Sequence, residues 1–264
     1  MTTPNRFDWV SARAEDVDHE YSPSQHSLRP IDEYLAEYHS LSSGHDAAAL
    51  RVPRSPLLIY IHGGYWQKLS AADSLFNADD AIAEGIALHA VEYTLAPHAS
   101  IAEIVEECIA DVLDVLQELQ PTRVVLAGCS AGAHLAAMCA RNSEIAQQVD
   151  GLALLSGIYD LRPLVVTPTN EPLHLTEQSA TELSPQLMSP IAHVTHALLA
   201  VGTAESSEFI RQNNAYAEHL RSGGIEVDSM VVRNRDHFNL PYDLLHRDTL
   251  VGDWVLAQLS PEHS

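Results

Sequence analysis

Val124-Val125-Leu126-Ala127-Gly128-Cys129-Ser130-Ala131-Gly132, running on into an alanine-rich segment to about Ala140, is the stretch that decides the fold. A short apolar run of strand length passes without a polar break into Gly128-x-Ser130-x-Gly132, and a helix-forming segment follows. A serine turned sharply between strand and helix leaves no room for side chains on either flank, so glycine is needed at both. Glycine and serine are common, and the pattern alone says little. Its context makes Ser130 a candidate nucleophile. The plain alternative is an ordinary turn whose serine caps the helix.

Outward from this stretch the chain alternates. Residues 57–61 and 86–93 read as strands, 70–84 and 101–119 as helices, the latter ending before Pro121. Further strands are expected at 151–155, 197–201 and 227–232, and further helices at 207–221 and 240–259. Fully apolar strands alternating with helices imply a mostly parallel central sheet covered by helices on both faces. Residues 1–50 form a polar lead-in with one short amphipathic helix near 30–38, expected to cover the pocket mouth. Residues 159–190, rich in Pro, Thr and Ser, read as a cap-like insertion within a single α/β domain spanning 1–264.

The 264 residues carry 36 acids against 14 bases, a net charge of −22, and Lys68 is the sole lysine. Such a surface repels phosphate and anionic lipid, so neither nucleic acid nor a membrane surface is an expected partner. The mean hydropathy of −0.07 argues against disorder. There is no apolar stretch long enough to span a bilayer, and the first residues are polar and acidic rather than signal-like. Cys108, Cys129 and Cys139 are odd in number and lack CxxC spacing. They fit reduced, buried thiols, and the expected location is the cytoplasm.

A serine nucleophile needs a base and a place for the oxyanion. His62-Gly63-Gly64-Tyr65-Trp66 directly follows the 57–61 strand, and its glycines allow close backbone approach. The expected oxyanion hole is built from Gly63, Gly64, Tyr65 and Ala131, with His62 structural. The base expected after the last strand is His237; His219 and His246 read as solvated or packing residues. For the acid, Glu205 ranks first because it follows the 197–201 strand by a short loop. Glu208, at a helix start, and Asp160 are alternatives, and Asp236 adjoins the base too closely in sequence. His134 is expected to pack, and Cys129 to point away from the pocket. His193 and His196, at helical spacing, lack a third ligand, and there is no HExxH, P-loop or dinucleotide fingerprint. No metal and no cofactor are expected.

Several segments resemble the arylformamidases, or kynurenine formamidases, of the α/β-hydrolase superfamily. They are Tyr21-Ser22-Pro23-Ser24, Ile61 to Gln67, Tyr93-x-Leu95-Ala96-Pro97, Gly128 to Ala137, Leu155 to Leu161, Ser184 to Leu187, Gly202 to Phe209 and Asp236-His237-Phe238. The resemblance implies an α/β-hydrolase fold with Ser130 as nucleophile, His237 as base and Glu205 as acid. The family usually has aspartate at that last position, and its animal members look to have histidine in place of Cys129. Residues 43–56 leave little room for the family's first strands. The implied activity is cleavage of the formamide of N-formyl-L-kynurenine through a formyl-enzyme, with Tyr65 and Trp66 either flanking the aromatic ring or packing beneath the loop. The rivals are a general carboxylesterase for small aryl or short-chain esters and a non-catalytic hydrolase-fold binding protein. The implied partner is a small aromatic amide or ester, and a homodimer is compatible with this reading.

Overall fold

Four of the apolar runs read from the sequence are buried strands in the computed structural model, which describes residues 7–260. The strands are β1 (Leu57–Ile61), β2 (Ala87–Val91), β3 (Val124–Cys129), β4 (Gly151–Leu155), β5 (His196–Gly202) and β6 (Glu226–Val232). They form one sheet in the order β2-β1-β3-β4-β5-β6, and every neighbouring pair is parallel. The helices are α1 (Ala14–Glu20), α2 (Ile31–Ser42), α3 (Ala78–Glu84), α4 (Ile101–Leu119), α5 (Ala131–Cys139), α6 (Ser143–Ala146), α7 (Glu177–Glu182), α8 (Ser207–Ser222) and α9 (Leu250–Leu259).

Side chains alternate across a strand, so β1 feeds two cores at once. Leu57, Ile59 and Ile61 join the layer built with α4, α5 and α8, while Leu58 and Tyr60 join the layer with α3 and α9. α4 shows why such a helix forms. Ser100 and Glu103 make a reciprocal capping box, and Ile101, Ile104, Val105, Cys108, Val112 and Val115 make one buried stripe at helical spacing.

Two expected helices are broken. Residues 70–84 split into a 3₁₀ turn, Ala71–Ser74, capped by Ser70, and then α3. Residues 240–259 split because Pro241 opens a 3₁₀ turn and Asp248 adopts a φ of 67°, so a new helix starts behind the Thr249 cap. The expected 30–38 helix extends over α2, and α1 was not anticipated. Residues 43–56 contain no strand, but Leu88 N–H donates to Leu50 O at 3.0 Å beside the β2 edge.

The sheet order places the site. The chain leaves β1 for β2 on one side and returns to β3 on the other, which opens a crevice at the carboxyl ends of β1 and β3. Ile61 stands opposite Gly128, so the loop after β1 begins level with the turn that carries Ser130.

Candidate active site

Ser130 sits at φ 58° and ψ −121°, a conformation side chains rarely adopt. The turn tolerates nothing larger than glycine at its flanks. A Cβ on Gly128 would lie 2.2 Å from Gly132 O, and one on Gly132 would lie 2.0 Å from Ile61 O. Ser130 N–H donates to Leu155 O at 2.9 Å, which ties the turn to the neighbouring strand. The side chain makes no capping bond to α5, so the plain helix-cap reading does not describe it.

The loop after β1 packs directly on this turn. A Cβ on Gly63 would meet Cys129 O at 2.9 Å and the Ser130 Cβ at 3.1 Å. Gly64, Tyr65 and Trp66 follow one another at φ 90°, 54° and 59°, a left-handed run that folds the loop back. Among the described residues the N–H groups of Gly64, Tyr65 and Ala131 find no acceptor. They are free to bind an oxyanion. His62 holds the loop from beneath: its Nδ1 lies 3.0 Å from Gly63 O and 3.1 Å from the Tyr93 hydroxyl, with the two rings stacked. Burial keeps its imidazole pKa below the usual range, which fits a neutral structural histidine.

Glu205 and His237 are brought together. Glu205 Oε2 lies 2.8 Å from His237 Nδ1, and Oε1 accepts from Ser156 Oγ at 2.6 Å and from Gly202 N–H at 2.7 Å. Both side chains are buried, and the edge of Phe209 rests against the imidazole. The other acids are committed elsewhere. Glu208 pairs with Arg211 and accepts from Tyr21 OH at 2.9 Å; Asp160 pairs with Arg162. Asp236 accepts from Tyr34 OH at 2.6 Å and from the N–H groups of Leu28, Phe238 and Asn239. Burial alone would raise its pKa, but those bonds outweigh burial and hold the carboxyl below its usual range. Ser156 was not anticipated as a support for the acid. The only sign was its place immediately after β4.

Ser130 and His237 line one cavity of about 480 Å³, together with Gly63, Gly64 and Tyr65. Among the described residues neither Ser130 Oγ nor His237 Nε2 has a hydrogen-bond partner. A larger open concavity, of about 780 Å³, lies between residues 42–51 and β2 and contains none of the expected site residues.

Two expectations need correction. Trp66 is fully buried and stands edge-on to His134 at 5.2 Å; it packs beneath the loop and does not reach the cavity. Cys129 does contribute to the cavity wall, since its position at the end of β3 leaves it facing His237 O at 3.7 Å. Burial raises its thiol pKa, with the Glu205 and Asp236 charges adding to the effect, so it stays protonated. His193 and His196, read as solvated, are exposed and half-buried, and His196 opens β5. The 159–190 insertion supplies only Thr169 to the cavity, whereas the N-terminal segment supplies Tyr21 to Ser24 and three residues of α2.

The α/β-hydrolase-fold family pattern matches residues 58–240. Kynurenine formamidase of Salmo salar is 33% identical, over 95% of this chain and 96% of that protein. The chain belongs to the kynurenine formamidase family of α/β hydrolases. The Danio rerio kynurenine formamidase is 31% identical over 96% of this chain and 98% of its own length. Among solved structures, a protein of Silicibacter sp. TM1040 described as a thioesterase superposes with a TM-score of 0.81 at 22% identity, covering 93% of this chain and 99% of that one. An esterase of Pyrobaculum calidifontis gives 0.65 at 15% identity, over 93% and 95%.

This formamidase-family core contains a pH-sensitive element. His134, one turn past Ser130 on α5, is fully buried with Nε2 2.8 Å from Leu183 O. Burial pushes its pKa from 6.5 down to about 4, and the carbonyl bond only partly offsets that. The unfolded chain therefore takes up a proton near pH 6.5 that the folded chain refuses until about pH 4. Stability from this group is complete above pH 6.5 and falls through that window, by on the order of 3 kcal/mol. His134→Gln keeps a donor for Leu183 O without titrating, and its melting temperature should fall less steeply across the window. Parallel pH curves for the two proteins would remove His134 as the source.

Proposed function

We propose that this chain is a serine hydrolase that cleaves the formamide of N-formyl-L-kynurenine, giving formate and kynurenine. The observation that carries the reaction type is the cavity shared by Ser130, the Glu205-anchored His237, Gly64 and Tyr65, where the N–H groups of Gly64 and Tyr65, like that of Ala131 next to Ser130, have no acceptor among the described residues. The substrate rests on the end-to-end likeness to kynurenine formamidases.

In the proposed sequence His237 Nε2 takes the Ser130 proton as Oγ attacks the formyl carbon. The negative oxygen accepts from Gly64, Tyr65 and Ala131 N–H. Collapse breaks the C–N bond, and the imidazolium returns its proton to the departing aniline nitrogen. Water, activated by the same imidazole, then attacks the formyl ester, and formate leaves as Ser130 is reprotonated. An aniline departs more readily than an alkyl amine, which brings this amide within reach of an esterase-type site. Tyr65, which lines the cavity and donates its hydroxyl to Tyr21 O, is placed to flank the aromatic ring. The three buried, unbridged cysteines fit a reducing compartment, and we place the protein in the cytoplasm.

Steady-state hydrolysis of N-formyl-L-kynurenine beside p-nitrophenyl acetate tests the substrate. A kcat/KM for the formamide above about 10⁴ M⁻¹s⁻¹ supports the proposal. Turnover of the ester alone would move the protein to the general carboxylesterases.

A further inference from the structure

We infer that the cavity reads a zwitterionic amino-acid head group, with Lys68 taking the α-carboxylate and Asp73 the α-ammonium; this rests on the formamidase reading and refines it. Lys68 is the one strong cation in the lining of the cavity. Nine arginines, at 13, 29, 51, 123, 162, 211, 221, 235 and 247, are committed to ion pairs; Lys68, like Arg54, Arg141 and Arg233, has none among the described residues, and of these four it alone lines the cavity. It stands in the wall of the same cavity as Ser130, on the loop that carries Gly64 and Tyr65. Asp73 is the sole carboxylate in that lining. Its oxygens are partly occupied, Oδ2 accepting from Ser70 Oγ at 2.7 Å and Oδ1 lying 3.5 Å from His39 Nδ1, and it makes no ion pair with Lys68. The cavity thus presents one unpaired cation and one carboxylate that do not neutralise each other. Ser22 and Ser24, whose hydroxyls donate to nothing among the described residues, line the same space and can add to carboxylate binding.

Charge on the whole molecule favours this ligand over simpler ones. A protein at −22 repels a bare organic anion on approach, whereas a zwitterion carries no net charge. Once inside, its carboxylate needs a local cation, and the chain places its single free lysine there.

Two fixed charges and the reacting carbonyl make three points of reference, which a chiral head group satisfies in only one hand. The test compares Lys68→Met and Asp73→Asn with wild type on both enantiomers of N-formylkynurenine and on formanilide, which has the aryl formamide and no head group. Circular dichroism checks that each variant folds. KM for the preferred enantiomer should rise about tenfold in each variant relative to any change on formanilide, the loss expected for one charge-assisted hydrogen bond. The enantiomer ratio should fall towards one. Equal changes on both substrates, or an unchanged enantiomer ratio, overturn the inference. If wild type hydrolyses esters and no formamide, the formamidase reading fails, and O-acetyl-L-tyrosine against phenyl acetate then carries the same comparison. A preference for the amino-acid ester that both variants lose sustains the inference, and no preference overturns it.

Discussion

Ser130→Ala will lower kcat by about 10⁶-fold and leave the fold intact. The proposed reaction has no other nucleophile. Cys129, the nearest soft atom, is held protonated by burial and faces His237 O rather than an incoming carbonyl. What survives should be the contribution of the free N–H groups and of substrate binding, roughly 10³-fold over water. The same substitution costs the fold little, because Ser130 Oγ bonds nothing among the described residues and alanine has the same Cβ. Ser130→Gly is the more informative companion. At φ 58° and ψ −121° a side chain is strained and glycine is not, so the glycine variant should be inactive and more stable by about 1 kcal/mol. Thermal melts and single-turnover ester hydrolysis measure both. Retention of more than a hundredth of wild-type kcat in the alanine variant would remove Ser130 as the nucleophile.

What the sequence made legible follows the reach of each residue's influence. Gly128, Ser130 and Gly132 act within one turn, and that turn formed where the pattern put it. The apolar runs at β1, β3, β4 and β5 are buried on both sides, so no polar residue interrupts them and their boundaries are plain. Trp66 was ambiguous for the opposite reason. An aromatic residue beside a catalytic loop reads identically whether its ring turns outwards or inwards, and only the left-handed run from Gly64 to Trp66 decides that it turns inwards. The covering of the cavity was placed in part. Residues 1–50 were expected at the mouth, but the Pro-rich 159–190 segment looked equally lid-like, and it gives only Thr169. The contact of Glu20 with Ser207 Oγ and the Glu208 N–H, which docks α1 on the start of α8, joins residues nearly two hundred positions apart and leaves no local trace.

Glu205→Gln will lower kcat by about 10⁴-fold, through the proton on the neighbouring ring rather than through lost contact. Three donors converge on this carboxylate: the Ser156 hydroxyl, the Gly202 N–H and the Nδ1–H of His237. A carboxylate accepts all three, whereas an amide has one oxygen and one NH₂ group. The Gly202 N–H is fixed by the backbone and can only donate, so the amide oxygen must stay on that side. The NH₂ group then faces His237 Nδ1, which has to give up its hydrogen to accept. Its proton moves to Nε2, the position that must be bare to receive the Ser130 proton. The ring remains in place, in the wrong tautomer. Glu205→Asp keeps the charge and the acceptor pattern but is one methylene shorter, and misplacement of that order costs about 10²-fold. Ordering the three proteins by kcat on p-nitrophenyl acetate, with melting temperatures as control, separates tautomer from geometry. Near-equal losses for aspartate and glutamine would mean that reach alone matters, and an active glutamine variant would return the acid role to another carboxylate.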